Sequence, residues 1–484
     1  MTARVCAILF LALSVPLLIP STGFAALDSY VPVGHWAYDV AARLVVLGLV
    51  PAHLLAAKPL TREEFARLVL TADRAEPKTS LGEFDRQSLD LLAAEFAQEI
   101  AAARGEATPG KVLLEFGMSG GSGSLATPTT HPDARPGWAA TAGFSAPLGA
   151  VAFDASGGWA EPWLQRAYLS TKSGAVNLQL GRDALWWGPG TRGALLLSNN
   201  AGPLDMLKFT FEIPHIRYTK FAATLNEPGK YLFGTRIDWA ASDTLSIGIA
   251  DTVLIFAGPK LWYAFARPIP LLIMFEGNYL LSVDVNWVSQ PGVLLYGELM
   301  FDDIQEPFPP PIATPPSPYP DPPSRWGFLG GVYFADPFKT GRTDLRVEYA
   351  RVYNWTYTDV DPTVNYSYRN LSLGHWLGSD GDDLAVIVKH TLAPGTVLKG
   401  WVAMTRHGEG RLGTYWASIP EAWQKYFLFG VVETRYSLGA GWQRREPGST
   451  FGLSAELSHV QDRNNTPGDT GWDYFLGLTF QKTW

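Results

Sequence analysis

The residues most suited to binding chemistry are two adjacent tryptophans at a predicted turn. Trp186 and Trp187 precede Gly188-Pro189-Gly190, and a short apolar run leads from there to Ser198-Asn199-Asn200. Two aromatic rings beside amide and hydroxyl groups suit a sugar, because a pyranose has one apolar face and a rim of hydroxyls. The same rings also suit an aromatic belt or the packing of an inward loop. The residues alone leave both interpretations open.

The other polar residues do not follow a pattern typical of enzymes. The eight histidines are scattered without the spacing of a zinc site, and no phosphate-binding Gly-Lys-Ser/Thr loop occurs. Asp382 and Asp383 follow His375 closely, but we interpret them as solvated residues at the start of a strand. The same interpretation applies to Glu298, Asp302 and Asp303. We therefore expect a protein that is not an enzyme and has no metal or cofactor.

The elements that must position these residues are predicted to be strands. After about residue 110 apolar and polar side chains alternate, in roughly 16 to 19 segments of about ten residues each. One example has Leu281, Val283, Val285 and Trp287 on one face and Ser282, Asp284 and Asn286 on the other. A soluble sandwich gives the same alternation, but charged residues on many of the polar faces favour a wet lumen. Residues 109–484 are predicted to form an all-β transmembrane barrel of antiparallel strands.

Composition agrees with a barrel facing lipid. Charged residues make up 17% of the chain and aromatic residues 13%, with 18 Trp and 19 Tyr. An outer wall in lipid must be apolar, and its rims favour Trp and Tyr. We find no run of 18 apolar residues beyond the N-terminal segment, so helical spans are not expected. The net charge of −8 argues against nucleic acid as a partner.

The C-terminal segment resembles the signal by which outer-membrane barrels are recognised for insertion. Leu476, Leu478, Phe480 and Trp484 share one face, although Lys482 interrupts the pattern. The barrel-insertion machinery and outer-membrane lipid are therefore expected partners. Two loops are also predicted, a proline-rich one at 306–325 and a flexible one at 119–137.

The first 25 residues read as an export signal. Arg4 gives a positive start, an apolar core follows, and Gly23-Phe24-Ala25 predicts cleavage after Ala25. A membrane anchor is disfavoured because the apolar run is short. The only cysteine, Cys6, lies in this segment, so the mature chain is expected to have no disulfide.

Residues 26–108 are predicted to form a small periplasmic helical domain. A first helix is predicted from about His35 to Leu47, ending at Gly48, and a capping box at residues 61–64 begins a second. A third, longer helix would place Leu89, Leu92, Phe96 and Ile100 on one face.

Two segments of this domain, 35–38 and 60–68, resemble the surface-layer homology (SLH) motif, whose family binds wall-linked polymers. The resemblance implies Trp36 and Arg62 near a polymer site, with peptidoglycan or a wall-linked polymer as the partner. It departs from the family in having one copy and no Gly-Asp-Gly-type turn. In the alternative interpretation Trp36 is a core residue and Arg62 is solvated.

Two blocks of the barrel region resemble the Wzi-type capsule-assembly family. They are residues 181–200, with Gly181-Arg182 and Trp186 to Gly190, and residues 373–384, with His375-Trp376 and Asp382-Asp383. The resemblance implies an eighteen-stranded outer-membrane barrel that binds and organises capsular or other surface polysaccharide, without catalytic residues. The polysaccharide-binding residues it implies are Arg182, Trp186, Trp187, Arg192, Ser198, Asn199, Asn200, His375, Trp376, Asp382 and Asp383.

Two other functions compete with glycan binding. A porin-like channel for small solutes would use the charged lumen residues to line an open pore, with the helical domain attached to the cell wall. An outer-membrane hydrolase is the least favoured class.

Overall fold

The computed structural model describes residues 29–75, 81–106, 113–123, 137–148, 151–158, 164–225, 228–256, 277–303, 325–359, 361–414 and 427–483. The predicted export signal, most of the proline-rich segment and Trp484 lie outside these residues.

The described N-terminal part is helical. Its helices are α1 (Ala37–Val46), α2 (Arg62–Ala75), α3 (Glu83–Glu95) and α4 (Ala97–Ala103). Their apolar faces meet in one core, where the Phe65 and Phe96 rings stack with centroids 4.9 Å apart.

The predicted helix signals have mixed outcomes. Gly48 follows α1 with φ +77°, and its N–H donates to the Val45 carbonyl, as expected at a helix end. The capping box also forms, because the Thr61 N–H donates to Glu64 Oε2 and the Glu64 N–H donates to Thr61 Oγ1. The single long third helix was wrong: the backbone breaks at Phe96 (φ −107°, ψ 25°), and α4 follows as a separate segment.

Most of the remaining described chain forms a large antiparallel sheet. Each strand pairs with its neighbours in chain order, and the last strand pairs with the first, which closes a barrel. The strands are β1 (Leu113–Gly123), β2 (Gly137–Leu148), β3 (Val151–Gly158), β4 (Leu164–Ser173), β5 (Val176–Asp183), β6 (Leu204–Ile213), β7 (Ile216–Thr224), β8 (Lys230–Ala240), β9 (Leu245–Phe256), β10 (Asn278–Gln290), β11 (Val293–Asp303), β12 (Arg325–Ala335), β13 (Thr343–Val352), β14 (Gly381–Ala393), β15 (Thr396–His407), β16 (Glu433–Glu446), β17 (Ser449–Gln461) and β18 (Gly471–Thr483).

The flexible loop predicted at 119–137 is partly wrong. Residues 119–123 continue β1 and pair with both β2 and β18 up to Gly121. Backbone pairing on both sides offsets the weak strand preference of this Gly- and Ser-rich stretch. Residues 124–136 lie outside the described part.

The alternation of side chains gives the sheet two unlike faces. In β10, Ser282, Asp284 and Asn286 are buried in the lumen, whereas Trp287 is 47% exposed on the outer wall. Successive side chains of a strand point to opposite faces, so a polar interior and an apolar exterior follow from the sequence pattern.

The two ends of the barrel also differ. Short turns join the strands at one end, as at 214–215, 291–292 and 447–448, while the connections at the other end are longer. The helical domain packs against the short-turn end. There Ala52 N–H donates to the Asp243 carbonyl, Gly292 N–H to the Val46 carbonyl and Gly448 N–H to Glu95 Oε2.

Among the residues that the structure describes, no helix has both the length and the apolar character needed to cross a membrane.

Candidate functional site

The segment that carries the tryptophan pair folds into the barrel lumen. We call residues 184–203 the plug segment. Trp186 and Trp187 form a short antiparallel pairing with Ala57-Lys58 of the helical domain. Trp187 is 1% exposed and meets the Phe221 ring edge-on, with centroids 5.2 Å apart. The tryptophans therefore pack an inward loop, which is the second of the two interpretations left open by the residues.

Lys58 sits next to this pair. Its Nζ lies 5.4 Å from the centroid of the Trp186 ring and 5.0 Å from that of Tyr38. Burial lowers the pKa of Lys58 to about 8. The lysine and its two rings thus join the helical domain to the plug segment.

Carboxylates of the barrel wall hold the backbone of the plug segment. Glu298 accepts hydrogen bonds from the Leu195 and Leu196 N–H groups at 2.9 and 3.0 Å. Glu348 accepts from the Thr191 and Arg192 N–H groups, at 2.8 and 2.9 Å. The expectation that Glu298 is solvated was wrong, because the plug segment buries it against the wall.

A second lumen segment covers the first. Tyr357, in the connection 353–380, donates its hydroxyl proton to the Leu195 carbonyl at 2.5 Å. The Tyr357 N–H in turn donates to Asp302 of the wall at 2.7 Å. Asp302 is 6% exposed, so it is not the solvated residue that we expected. The side chain of Asp303 lies outside the described part.

The two motif blocks that the sequence keeps far apart meet here. Ser198 donates its hydroxyl proton to the Gly374 carbonyl at 2.6 Å, and its N–H donates to the Leu373 carbonyl. Asn200 Nδ2 donates to the Ser372 carbonyl at 3.0 Å. Each block therefore satisfies buried polar groups of the other, and we call the contact between them the interlock.

A buried ion pair completes the interlock. Arg192 binds Asp383 through two hydrogen bonds, 2.6 and 2.9 Å long, and each side chain is 2% exposed. The Arg192 guanidinium also lies 5.7 Å from the centroid of the Trp376 ring. The solvated interpretation of Asp383 was wrong, because this carboxylate points into the lumen from the first residues of β14.

His375 lies in the centre of the interlock and is fully buried. Burial, followed by the nearby positive charge of Arg192, lowers its pKa to about 3, so the ring is neutral at physiological pH. A Cβ added at Gly193 would lie 2.2 Å from His375 Cδ2, so only glycine fits there.

Besides the tryptophan pair, Arg182 and Asp382 also lie away from the interlock. Arg182 pairs with Asp205 across β5 and β6. Asp382 points to the outer face of β14 and pairs with Arg406, and its side chain is only 1% exposed. The solvated interpretation of Asp382 was therefore also wrong. Asn199 is half-buried.

Sequence reasoning missed an exposed hairpin tip above the interlock. Ser367-Tyr368 pairs with Leu371-Ser372, and the turn between them consists of Arg369 and Asn370. Both turn residues have positive φ, 54° and 62°, a conformation that side chains other than glycine rarely adopt. Asn370 is exposed, and the base of the hairpin is held by the Asn200–Ser372 hydrogen bonds. The signal available in the sequence for this turn was a pair of consecutive polar residues, Arg369 and Asn370, because Asn tolerates a positive φ.

The SLH-like residues are both packed in the helical domain. Trp36 is 4% exposed, which fits the core interpretation. Arg62 bonds to Glu99 at 2.6 Å, and its guanidinium lies 4.7 Å from the centroid of the Phe96 ring. Arg62 is therefore ion-paired and not solvated.

No group of three or more His, Cys, Asp or Glu side chains suited to a metal ion occurs in the part of the chain that the structure describes.

The class of protein follows from these features. A β-barrel with an apolar exterior, a polar interior and lumen-filling segments is typical of outer-membrane proteins. Residues 140–446 match the family model described as capsule assembly protein Wzi. The chain therefore belongs to the Wzi family of capsule assembly proteins, and the family and the barrel together support an outer-membrane location.

A solved structure of an Escherichia coli outer-membrane protein shares the fold of this chain. The chain is 16% identical to Wzi of Escherichia coli, described as an outer-membrane protein of group 1 capsule assembly and a carbohydrate-binding β-barrel. The match covers 95% of this chain and 99% of the other, with a TM-score of 0.66. OprD of Pseudomonas aeruginosa is 10% identical over 78% of this chain and 95% of its own, with a TM-score of 0.44. A comparison with curated proteins found no match.

Proposed function

We propose that this chain is a surface lectin that binds capsular or other surface polysaccharide at the long-connection end of its barrel. The barrel spans the outer membrane, with the helical domain in the periplasm and the long connections outside. This orientation follows the usual arrangement of short periplasmic turns and longer external loops. The polysaccharide assignment rests on the family and on the description of the Escherichia coli protein as carbohydrate-binding.

The interlock is the observation that carries the proposal. The two motif blocks fill the lumen and are bonded to each other and to the barrel wall. The loops that they support at the long-connection end are therefore held in a fixed arrangement. A surface held rigid before binding loses less conformational entropy when it takes up a flexible glycan. The packed lumen also disfavours the porin-like alternative.

The site residues divide into two roles in this proposal. Trp186, Trp187, Arg192, Ser198, Asn200 and His375 position the binding surface from below, because all six are buried. The Arg369-Asn370 hairpin tip makes direct contact with the sugar. The exposed amide of Asn370 gives hydrogen bonds to hydroxyl or carboxylate oxygens, while Arg369 packs on Tyr368 and supports the tip. The strained turn agrees with this role, since such strain is common at functional sites.

A substitution of Asn370 tests the binding site. Asn370→Gly keeps the left-handed turn and removes the amide, so we expect about tenfold weaker binding of the polysaccharide purified from the same cells. The measurement is calorimetric titration of the detergent-solubilised protein. Lys339→Gly is the matched control, because Lys339 also has a positive φ (54°) but lies in a short turn at the opposite end. Equal affinity of wild type and Asn370→Gly would reject the hairpin as the contact site.

The SLH-like helical domain is proposed to lie against the cell wall. Because Arg62 is ion-paired within the domain, the contact with the cell wall would be made by other surface residues of the domain. A pull-down with purified peptidoglycan tests this part separately from glycan binding at the outer end.

A further inference from the structure

The outer wall of the barrel carries cationic side chains close to its long-connection rim. Ala350 and Val352 are buried on the inner face of β13, so Arg351 between them points outward. On the next two strands, Asp382 is the direct partner of Arg351 in the ladder, and Arg406 is the partner of Asp382. Three charged side chains thus form a row across β13, β14 and β15. We call this row the rim cluster.

Aromatic rings surround Arg351. Its guanidinium carbon lies 3.5 Å from the centroid of the Phe427 ring and 4.3 Å from that of Tyr353. Trp326 stacks on Tyr353 with centroids 4.2 Å apart. Outward aromatic rings at a barrel rim mark the level where the lipid headgroups begin. Arg351 therefore lies at headgroup depth.

The charges of the rim cluster do not cancel. Asp382 is bound by Arg406 at 2.6 and 3.0 Å and accepts the Tyr349 hydroxyl at 3.0 Å. Its side chain is 1% exposed, whereas that of Arg406 is 37% exposed. Within the described residues no carboxylate pairs with Arg351, and its buried Nε lacks a hydrogen-bond partner. One positive charge is left over, and its planar donor group is already oriented by the rings.

The membrane makes such an arrangement costly unless an anion meets it. A guanidinium at the lipid boundary without a counter-charge is destabilising, while a phosphate accepts two of its hydrogen bonds at once. We propose that the rim cluster binds the phosphate of an outer-leaflet lipid headgroup. Arg351 makes the bidentate contact, Arg406 contributes the second positive charge, and Trp326 and Tyr353 pack against the lipid.

This site is separate from the proposed glycan site. It rests on the proposed orientation of the barrel, with the long connections outside, but not on polysaccharide binding, so loss of polysaccharide binding would leave it unaffected. Likewise, a failure of lipid binding would not affect the hairpin proposal.

The test measures lipid retention by purified full-length protein. The protein is placed in dodecyl maltoside micelles, which carry no phosphate, with a minor fraction of diphosphoryl lipid A or of its dephosphorylated form. Native mass spectrometry then counts the glycolipid that remains bound. We expect wild type to retain the diphosphoryl form in preference, and Arg351→Gln to bind it about tenfold more weakly. Arg351→Lys, which keeps the charge but loses the planar fork, should lie between the two.

Arg444→Gln is the matched control. Arg444 is also an exposed arginine of the wall, but it lies near the short-turn end and pairs with Glu446 at 3.1 Å. Its substitution should leave retention unchanged. Two results would overturn the proposal. One is that wild type and Arg351→Gln retain equal amounts of the diphosphoryl lipid, and the other is that wild type retains the dephosphorylated lipid as well as the diphosphoryl lipid. Displacement of the lipid by inorganic phosphate would show a free-anion site and would also overturn it.

Discussion

The Arg192–Asp383 pair shows how single residues stabilise the interlock. Removing one partner of a buried ion pair leaves the other charge uncompensated, which costs about 3–5 kcal/mol. We expect Arg192→Ala to lower the free energy of unfolding by about this amount, measured by urea unfolding in detergent with tryptophan fluorescence. Arg182→Ala is the control, because its partner Asp205 is 47% exposed. That pair should contribute about 1 kcal/mol or less. Equal losses in the two variants would contradict a buried role for Arg192.

His375 makes the stability of the interlock depend on pH. Burial and Arg192 lower its folded-state pKa to about 3 from an ordinary value of 6.5. Its full contribution is therefore present above pH 6.5. As the pH falls from 6.5 towards 3 the unfolded chain gains a proton that the folded chain does not, so stability is lost. Each pH unit within this window costs about 1.4 kcal/mol at most.

The variant His375→Asn tests this dependence. It should flatten the loss of stability between pH 6.5 and 3 in the same unfolding assay. His215→Asn, at an exposed short turn, should keep the wild-type slope. A wild-type slope in His375→Asn would show that other groups cause the acid sensitivity, such as His35, whose pKa burial also lowers to about 3.

The sequence identified many of the residues that form the site, but it did not predict the contacts that these residues make. The motif drew attention to Ser198, Asn200 and His375, but a spacing along the chain does not reveal that residues 198 and 374 bond to each other. For the same reason Glu298 was taken for a solvated residue. Its partners are backbone N–H groups of a loop about a hundred residues earlier in the chain, which no local pattern encodes.

At the scale of elements, the plug segment joins the helical domain to the long connections. One end of it pairs with Ala57-Lys58, and the other bonds to residues 372–374. Trp186 and Trp187 fill the space next to the helical domain. Large-to-small substitutions of buried aromatic residues cost about 3–5 kcal/mol and leave cavities. The pair is therefore expected to be essential for keeping the lumen closed.

Channel conductance measures this closure. Wild-type protein in a planar bilayer should show little steady conductance, and the Trp186→Ala, Trp187→Ala double variant should show clearly larger or more frequent openings. The control is Trp239→Ala with Trp287→Ala, two outward tryptophans that are 49% and 47% exposed. Large steady channels in wild type would instead support the porin-like function.

The elements themselves were largely readable from the sequence. Period-two alternation predicted strands such as β6 and β10, because one polar and one apolar face is a local property of the chain. The capping box predicted the start of α2 for the same reason. The break at Phe96 was not readable, because the apolar spacing continues through it and tertiary packing decides the bend.

At the scale of the whole molecule, the barrel, the plug segment and the helical domain form one packed structure. Ion pairs such as Lys389–Asp39 and Arg445–Asp39 tie α1 to the wall. The apolar outer face could be predicted, but the filling of the lumen could not. An alternating strand has the same pattern whether its polar face meets water or another segment of the chain.

The central claim is that this chain holds surface polysaccharide on the cell. The most direct test compares cell-bound with shed polysaccharide in a deletion strain that carries either the wild-type gene or the Asn370→Gly variant at equal outer-membrane abundance. We predict that the deletion strain sheds its polysaccharide, that wild type restores the bound fraction and that Asn370→Gly restores it only in part. An unchanged bound fraction in the deletion strain would contradict the account.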